Sequence, residues 1–495
     1  MAAPGGAGKR AWVVDVEKTL GEADASVEVS RWERHSIYRV PACIKDLNPK
    51  AYRPQVVSLG PFHHGDAALR PMEEHKRRAL RHLLRRARRP LEEFAAAVED
   101  AAPQLRSAYQ LLDGLDAGAD ERWRGAGGED AFVEMMIVDG CFLLEVMRAA
   151  GPHGGSSKKD AAGGDYAPND PIFSRHGVLY MVPYIRRDML MLENQLPLLL
   201  LAKLVAVETA KPPNDDAINR MVLRFLSPTS HLPPAGVGLG LHPLDVYRRS
   251  MLYGPYQTPR GGSHQYLDEP ETDIIRSAVE LYEAGIRFKT SATDSLHDIR
   301  FRHGELSMPA VSVDDSTEYM LLNMMAFERL HAGAGNDVTA YVFFMDNLID
   351  SAKDVALLSS RGVIQNAVGS DKAVAKLFNS ISKDVVLEPE SALDAVHRQV
   401  NAYCRKPWNM WRANLVHTYF RSPWAFLSLA AAVFLLTMTI MQTVYTVLPY
   451  YKAGPGDSSP GPPTAPSPIK CFKVESGGVT SYSQSGTYMP YKSAV

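Results

Sequence analysis

Cysteine is scarce in this chain: four residues in 495, Cys43, Cys141, Cys404 and Cys471, far apart and without a CxxC pair. That spacing argues against a disulfide framework and suits reduced thiols in a cytosolic compartment. An excess of one charge is also lacking, with 54 basic against 56 acidic residues. No bulk charge is available to neutralise phosphates, so nucleic acid is not an expected partner. The opening stretch MAAPGGAGKRAWVVDVEK has no apolar core of the roughly 7 to 15 residues that a secretory signal requires, so nothing in it would translocate the region that follows. None of the thirteen asparagines begins an N-x-Ser/Thr sequon, including Asn379, which is followed by Ser-Ile. Also absent are GxSxG, a P-loop, GxGxxG after a strand, HExxH and the kinase signatures, so each standard route to an enzyme lacks its motif. No catalytic residue, metal ligand or cofactor is therefore assigned, although an unfamiliar enzyme stays open as an alternative.

Long hydrophobic runs are missing as well, with one exception. From Ser422 to Tyr451 thirty residues pass without a charge. Trp424 to Tyr445 alone would be about 33 Å long as a helix, against a hydrocarbon core of roughly 30 Å. Its nine Leu, Ile, Val and Phe residues favour insertion by roughly 3 to 5 kcal/mol before Ser428, Gln442 and the threonines subtract from it. A transmembrane helix over 424–448 is the expectation, with Trp424 and Tyr445 as interfacial anchors. Arg398, Arg405, Lys406, Arg412 and Arg421 precede it with no acid after Asp394, whereas Lys452 follows alone and Asp457 comes soon after. The positive-inside tendency then puts the N-terminal region in the cytoplasm and the tail on the far side.

The rest of the chain divides by composition. Residues 1–34 are Ala/Gly-rich and read as disordered. Residues 35–420 read as one mainly α domain, large enough for one big core or two smaller ones. Within it, 151–169 is a Gly-rich insertion, and 227–243 and 254–270 are Pro/Gly-rich loops. Residues 452–495 form a Pro/Ser/Gly-rich tail unable to bury a core. Met72–Arg89 is periodic at three and four residues, and Pro90 restarts the chain as a first-turn proline. Phe132–Arg148 and Met189–Val207 are apolar around most of a helical circumference and belong in a core. Asp315 with Glu318 resembles a capping box, and further helices should follow Asp337 and Ser370. A β-hairpin turning at His303-Gly304 would pair Phe301 with Leu306, Ile299 with Met308 and Arg302 with Glu305.

Some polar groups invite a chemical reading. His63, His64, Asp66 and His75 are metal-ligand types, but their spacing matches no familiar zinc pattern, and loop histidines that anchor a turn are the favoured reading. His75–Arg89 carries eight Lys or Arg residues. The Lys76 to Arg89 helix is a candidate for contact with anionic lipid; the simpler alternative is a solvated face with Arg88–Glu92 and Arg89–Glu93 pairs. Asp139, Glu145 and the Glu193-Asn194-Gln195 run sit inside apolar sequence. Buried carboxylates can be catalytic, yet pairing with Arg148, Arg186 or Arg187, or satisfying backbone freed by Pro197, is favoured.

Several of these words occur together: IYRVPACIKDLNPKAYRPQVVSLGPFHHG, MEEHKRRAL, MMIVDGCFLLEV, DPIFSR, RRDMLMLENQLPLLLL, AGIRFK, DDSTEYMLLNMMAFER and YVFFMDNLIDSAKDVALL. In this order they resemble the plant family called domain of unknown function 247, from about His35 to the membrane segment. The resemblance implies a C-terminal transmembrane helix, a plant plasma membrane, and no agreed active-site residues. Some grass members are implicated as pollen-side determinants of self-incompatibility, so it also implies protein binding in cell recognition or signalling. A lipid-binding scaffold is a further alternative.

Overall fold

Proline, small residues and apolar spacing set most of the helix boundaries in this computed structural model. It describes residues 10, 12–13, 29, 32–46, 48–110, 112, 121–123, 125–151, 166–227, 236–254, 276–383, 392–415 and 423–452. Most of the expected N-terminal segment and Gly-rich insertion, and nearly all of the Pro-rich tail, lie outside these residues, as does much of the two Pro/Gly-rich loops. The chain falls into two units, Met1–Ser422 and Pro423–Val495.

The first unit begins with one helical turn, α1 (Ala42–Lys45), and a 3-10 turn, Pro49–Tyr52. Helix α2 (Arg70–Ala87) has Pro71 in its first turn and stops where Arg88 takes the left-handed conformation, φ 53°. Met72, Lys76, Ala79 and Leu83 form its buried stripe. Pro90 is the N-cap of α3 (Leu91–Ser107), one position earlier than the expected first-turn proline. Helix α4 (Gly125–Ala149) packs against α2, α3 and α7 (Leu198–Thr209). Phe132, Met136, Cys141, Phe142, Leu143 and Leu144 are all fully buried, so this helix is apolar nearly all round because it has neighbours nearly all round. Each such large apolar side chain contributes about 1.5 to 3 kcal/mol by leaving water. Short helices α5 (Arg175–Tyr180) and α6 (Val182–Asp188), then α8 (Asp215–Leu226), close this first apolar core.

The expectation of one helix from Met189 to Val207 needs correction. Met189–Pro197 is irregular, and the helix begins only at Leu198 with Pro197 as N-cap. Proline lacks the N–H that a continuous helix would use there, and residue 196 is biased away from helical geometry.

A second apolar core gathers around α9 (Pro243–Leu252), α10 (Ala278–Glu283), α11 (Thr317–Leu330), α12 (Asp337–Leu348), α13 (Ala352–Ser360) and α14 (Asp371–Ile381), with α15 (Ala392–Cys404) beside them. Two small sheets belong to it. Strand β3 (Glu305–Met308) lies between β1 (Arg287–Thr290), parallel, and β2 (Arg300–Arg302), antiparallel. Strands β4 (Val311–Val313) and β5 (Ile364–Asn366) pair in parallel. The hairpin has the expected register, Phe301 opposite Leu306 and Arg302 opposite Glu305. His303 and Gly304 both have positive φ, 50° and 78°, as a two-residue turn of matching twist requires. The helices after Asp337 and Ser370 also form.

The capping box expected at Asp315 does not. Asp314 instead accepts from the Ser316 N–H, at 2.9 Å, and from the Ser316 and Thr317 hydroxyls, while Glu318 reaches Asn48 at 2.7 Å. The box is found at Ser351 and Asp354. Helix α16 (Pro407–Leu415) ends the described part of the first unit.

The second unit contributes one described helix, α17 (Pro423–Lys452), of 30 residues. Its Phe426–Leu448 stretch, with mean hydropathy 1.9, is long and apolar enough to cross a membrane, and none of its apolar window is buried.

Candidate functional site

Between the two cores runs a strap, residues 37–46 and 48–62, irregular apart from α1 and the 3-10 turn. Tyr38, Val40, Ala51 and Tyr52 belong to one core, and Ile37, Val57, Leu59 and Phe62 to the other. A buried segment without a regular ladder leaves N–H and C=O groups that need partners elsewhere. Side chains from 188–195 provide many of them. Asp188 accepts from three successive N–H groups, those of Gln55, Val56 and Val57, at 2.7 to 3.1 Å. Asn194 accepts from the Leu59 N–H at 2.7 Å and donates to the Val57 carbonyl at 3.0 Å. Gln195 donates to the Met189 and Met191 carbonyls, holding its own irregular turn, and accepts from the Leu244 N–H. Asn323 ties in the second core: it accepts from the Leu192 N–H and donates to the Ala51 carbonyl, at 2.9 and 2.8 Å.

Near its end the strap carries a glycine that nothing larger would fit. Gly60 has φ +75°, and a Cβ there would stand 2.8 Å from both the Gln195 carbonyl oxygen and the Tyr109 hydroxyl. Its N–H donates to Asp139 at 2.9 Å.

Two charged nodes fasten the strap further. In the first, Lys76, 0% exposed, stands 2.7 Å from Asp139 and donates to Glu73 at 2.7 Å and to the Ser58 hydroxyl at 3.0 Å. Burial pushes the Asp139 carboxyl above its ordinary value, and Lys76 opposes that push. In the second, Glu193 accepts from the Val40 N–H at 2.6 Å and from Lys45 at 2.9 Å, with His63 Nε2 at 3.6 Å. Burial works to raise the Glu193 carboxyl, but His63, Lys45 and the Val40 N–H outweigh it and hold it low.

The four candidate metal-ligand residues do not converge. His63 lies between Asp66 and Glu193, each at 3.6 Å. His64 packs its ring against Trp123 at 5.5 Å between centroids. His75 lies 3.1 Å from Arg78, which bridges to Asp170. Among the described residues no group of three His, Cys, Asp or Glu side chains is arranged to hold a metal.

Glu145 pairs with Arg86 and with Arg148, the latter at 3.0 Å, and accepts from the Tyr166 hydroxyl at 2.9 Å. Arg148 was an expected partner; Arg186 and Arg187 instead lie over the Phe225 and Tyr319 rings. The basic run on α2 is not one face. Lys76 is buried, and Arg78 and Arg86 are paired with Asp170 and Glu145, so the exposed stripe is reduced to Arg77, which pairs with Glu134 at 3.2 Å, Arg81, Arg85 and the C-cap residue Arg88. The Arg89–Glu93 pair forms at 3.2 Å.

Sequence reasoning missed Lys76, Asp188, Asn323 and His242. A signal existed for Lys76, which falls at the spacing of Met72, Ala79 and Leu83 on the inward stripe. His242, fully buried, caps α9: its Nδ1 accepts from the Asp245 N–H at 3.3 Å, which leaves Nε2–H to donate to the Ser36 carbonyl at 3.0 Å. That is the neutral imidazole. Burial pulls its pKa down to about 4, against the opposing charge of Asp245, and burial does the same to His397.

A depressed histidine makes stability depend on pH with a definite sign. Above the unfolded value near 6.5 the imidazole is neutral in both states. Below it the unfolded chain takes up the proton first, so stability falls between about pH 6.5 and 4, by roughly 3 kcal/mol for His242 alone. Urea midpoints measured by circular dichroism across that range should fall with pH. His242→Asn, which can still cap the helix but does not titrate, should remove the His242 part of the dependence and leave that of His397.

Comparisons with known proteins agree on one relationship. The model of DUF247, described as a plant protein of unknown function, matches residues 37–438. A UPF0481 protein of Arabidopsis thaliana is 31% identical over 454 residues, covering 86% of this chain and 89% of the relative. A putative UPF0481 protein of the same plant is 24% identical over 529 residues, covering 87% and 93%. No solved structure matches.

Proposed function

We propose, from the premise that this chain belongs to the DUF247 family of plant proteins of unknown function, that it is a single-pass membrane protein whose helical domain binds another protein and performs no catalysis. The observation that carries the anchor is the Phe426–Leu448 stretch of α17, whose charge-free apolar surface is left unburied. Water solvates such a surface poorly, whereas a bilayer matches it in length and polarity. Five basic residues precede it and one closely follows, which favours a cytoplasmic domain.

Support for binding over catalysis comes from the strap. The polar groups with the most catalytic character are each occupied: Asp139 by the Gly60 N–H and buried Lys76, Glu193 by the Val40 N–H and Lys45, and Glu145 by Arg86, Arg148 and the Tyr166 hydroxyl. A general base would need a lone pair directed at substrate instead. A rigid helical domain tethered at a plant plasma membrane suits signalling or recognition on the cytoplasmic side. Recognition outside the cell, as in a self-incompatibility system, would have to use the residues after α17 or the opposite orientation. Sided protease digestion of sealed vesicles tests the reading, through whether the domain is cut from the cytoplasmic face.

A further inference from the structure

Helix α16 carries an apolar face that the fold leaves uncovered. Trp408, Trp411 and Leu415, at i, i+3 and i+7, share one side of it. They are 76%, 69% and 44% exposed. Two tryptophans so exposed within nine residues form a patch rather than a scatter. The helix is nonetheless not a loose end. Asn409 is buried and donates to the Tyr403 carbonyl at 2.8 Å. The Arg412 guanidinium closes over Gly285, so near that a Cβ on that glycine would stand 3.0 Å from Nη1. Its other sides thus pack on α10 and α15, and the tryptophans point away from the domain.

We infer that α16 is an interfacial helix, seating Trp408, Trp411 and Leu415 in the headgroup and upper acyl region of the membrane that α17 enters. The inference rests on the reading of α17 as a span and adds a second point of attachment. Three observations select a lipid occupant over a protein one. First, seven residues, 416–422, separate the two helices, so the chain confines Leu415 to within about 28 Å of Pro423 however it is drawn out. Second, the chain flanking α16 carries charge of one sign: no Asp or Glu occurs from 395 to 456, while Arg405, Lys406, Arg412 and Arg421 do. Basic sequence beside a span complements anionic headgroups. Third, the exposed large side chains are chiefly tryptophan, whose ring is apolar and whose N–H seeks a polar partner, a combination that favours the membrane interface. A helix with basic and tryptophan-bearing sides, packed on the domain, would fix which face of that domain looks at the bilayer.

The test uses the full chain reconstituted in phosphatidylcholine and phosphatidylserine vesicles, with and without lipids brominated high on the acyl chain. Trp424→Phe removes the tryptophan at the start of α17 and leaves five of the six. Brominated vesicles should lower the emission of this variant by roughly a third, because two of the five rings sit at the interface. Adding Trp408→Ser and Trp411→Ser should abolish most of that loss. Equal emission in both lipids, with the chain retained in the pellet at alkaline pH, would overturn the interfacial helix and leave the span intact. Acrylamide protection without bromine quenching would overturn it too, in favour of a protein partner or a second copy. Release of the chain by alkaline carbonate would remove the span, and this inference with it.

Discussion

Lys76→Met is expected to destabilise the domain by about 3 to 5 kcal/mol, the usual consequence of removing one member of a buried ion pair. The reason is the state of Asp139 afterwards. Its carboxylate, itself buried, would retain the Gly60 N–H but lose the cation 2.7 Å away. Glu73 and the Ser58 hydroxyl would lose the same donor. An uncompensated charge in a low-dielectric interior must either stay ionised at high cost or take a proton. Asp139→Asn in the Lys76→Met background should therefore recover about half of the loss, because an amide oxygen can still accept from Gly60 and no buried charge remains. Urea unfolding of the three proteins in one detergent measures it. A single Lys76→Met variant less than about 1 kcal/mol below wild type would mean that the pair does not hold the strap.

Asp188→Ala is expected to cost about 2 to 4 kcal/mol. Three consecutive N–H groups lose their acceptor at once, but they are not equally deprived. Gln55 is exposed and Val56 half-buried, so water can reach their amides, whereas Val57 is fully buried and would be left unpaired. Asp188→Asn retains one acceptor oxygen and should lose about half as much. Hydrogen exchange gives the local readout: the Val57 amide should lose protection in Asp188→Ala before the amides of α4 do. Equal loss across both would show that the carboxylate acts on global stability without holding this segment.

Much of the helical domain was legible in the chain, for a reason that also explains the failures. Periodicity reports which side of a regular element faces apolar neighbours, so α2 and α3 could be read from spacing, α4 from apolar residues nearly all round, and α12 and α14 from the positions expected to open them. The hairpin could be read as well, because alternation and a two-residue turn fix each other's register. The strap has no period. Its conformation depends on Asp188, Asn194, Asn323 and Asp139, which lie from about 80 to 270 residues away in sequence, and single-chain patterns carry no signal for such pairings. The same gap hid the site. Glu193, Asn194 and Gln195 stood out as polar residues in apolar surroundings, but their partners, the Val40 N–H, the Leu59 N–H and the Met189 carbonyl, belong to backbone that becomes irregular only in the fold. Lys76 was misread because a lysine in a basic run looks solvated until its place on the stripe of Met72, Ala79 and Leu83 is counted.

Sided digestion of sealed vesicles bears most directly on the central claim, a domain held on the cytoplasmic face by one span. With vesicles turned cytoplasmic side out, protease should remove the domain and leave one protected fragment, α17 with the residues after it, from Pro423 to Val495. With vesicles of the opposite orientation the domain should survive and only residues beyond Lys452 should be lost. A domain digested from the outside of intact cells would contradict the orientation and everything argued from it.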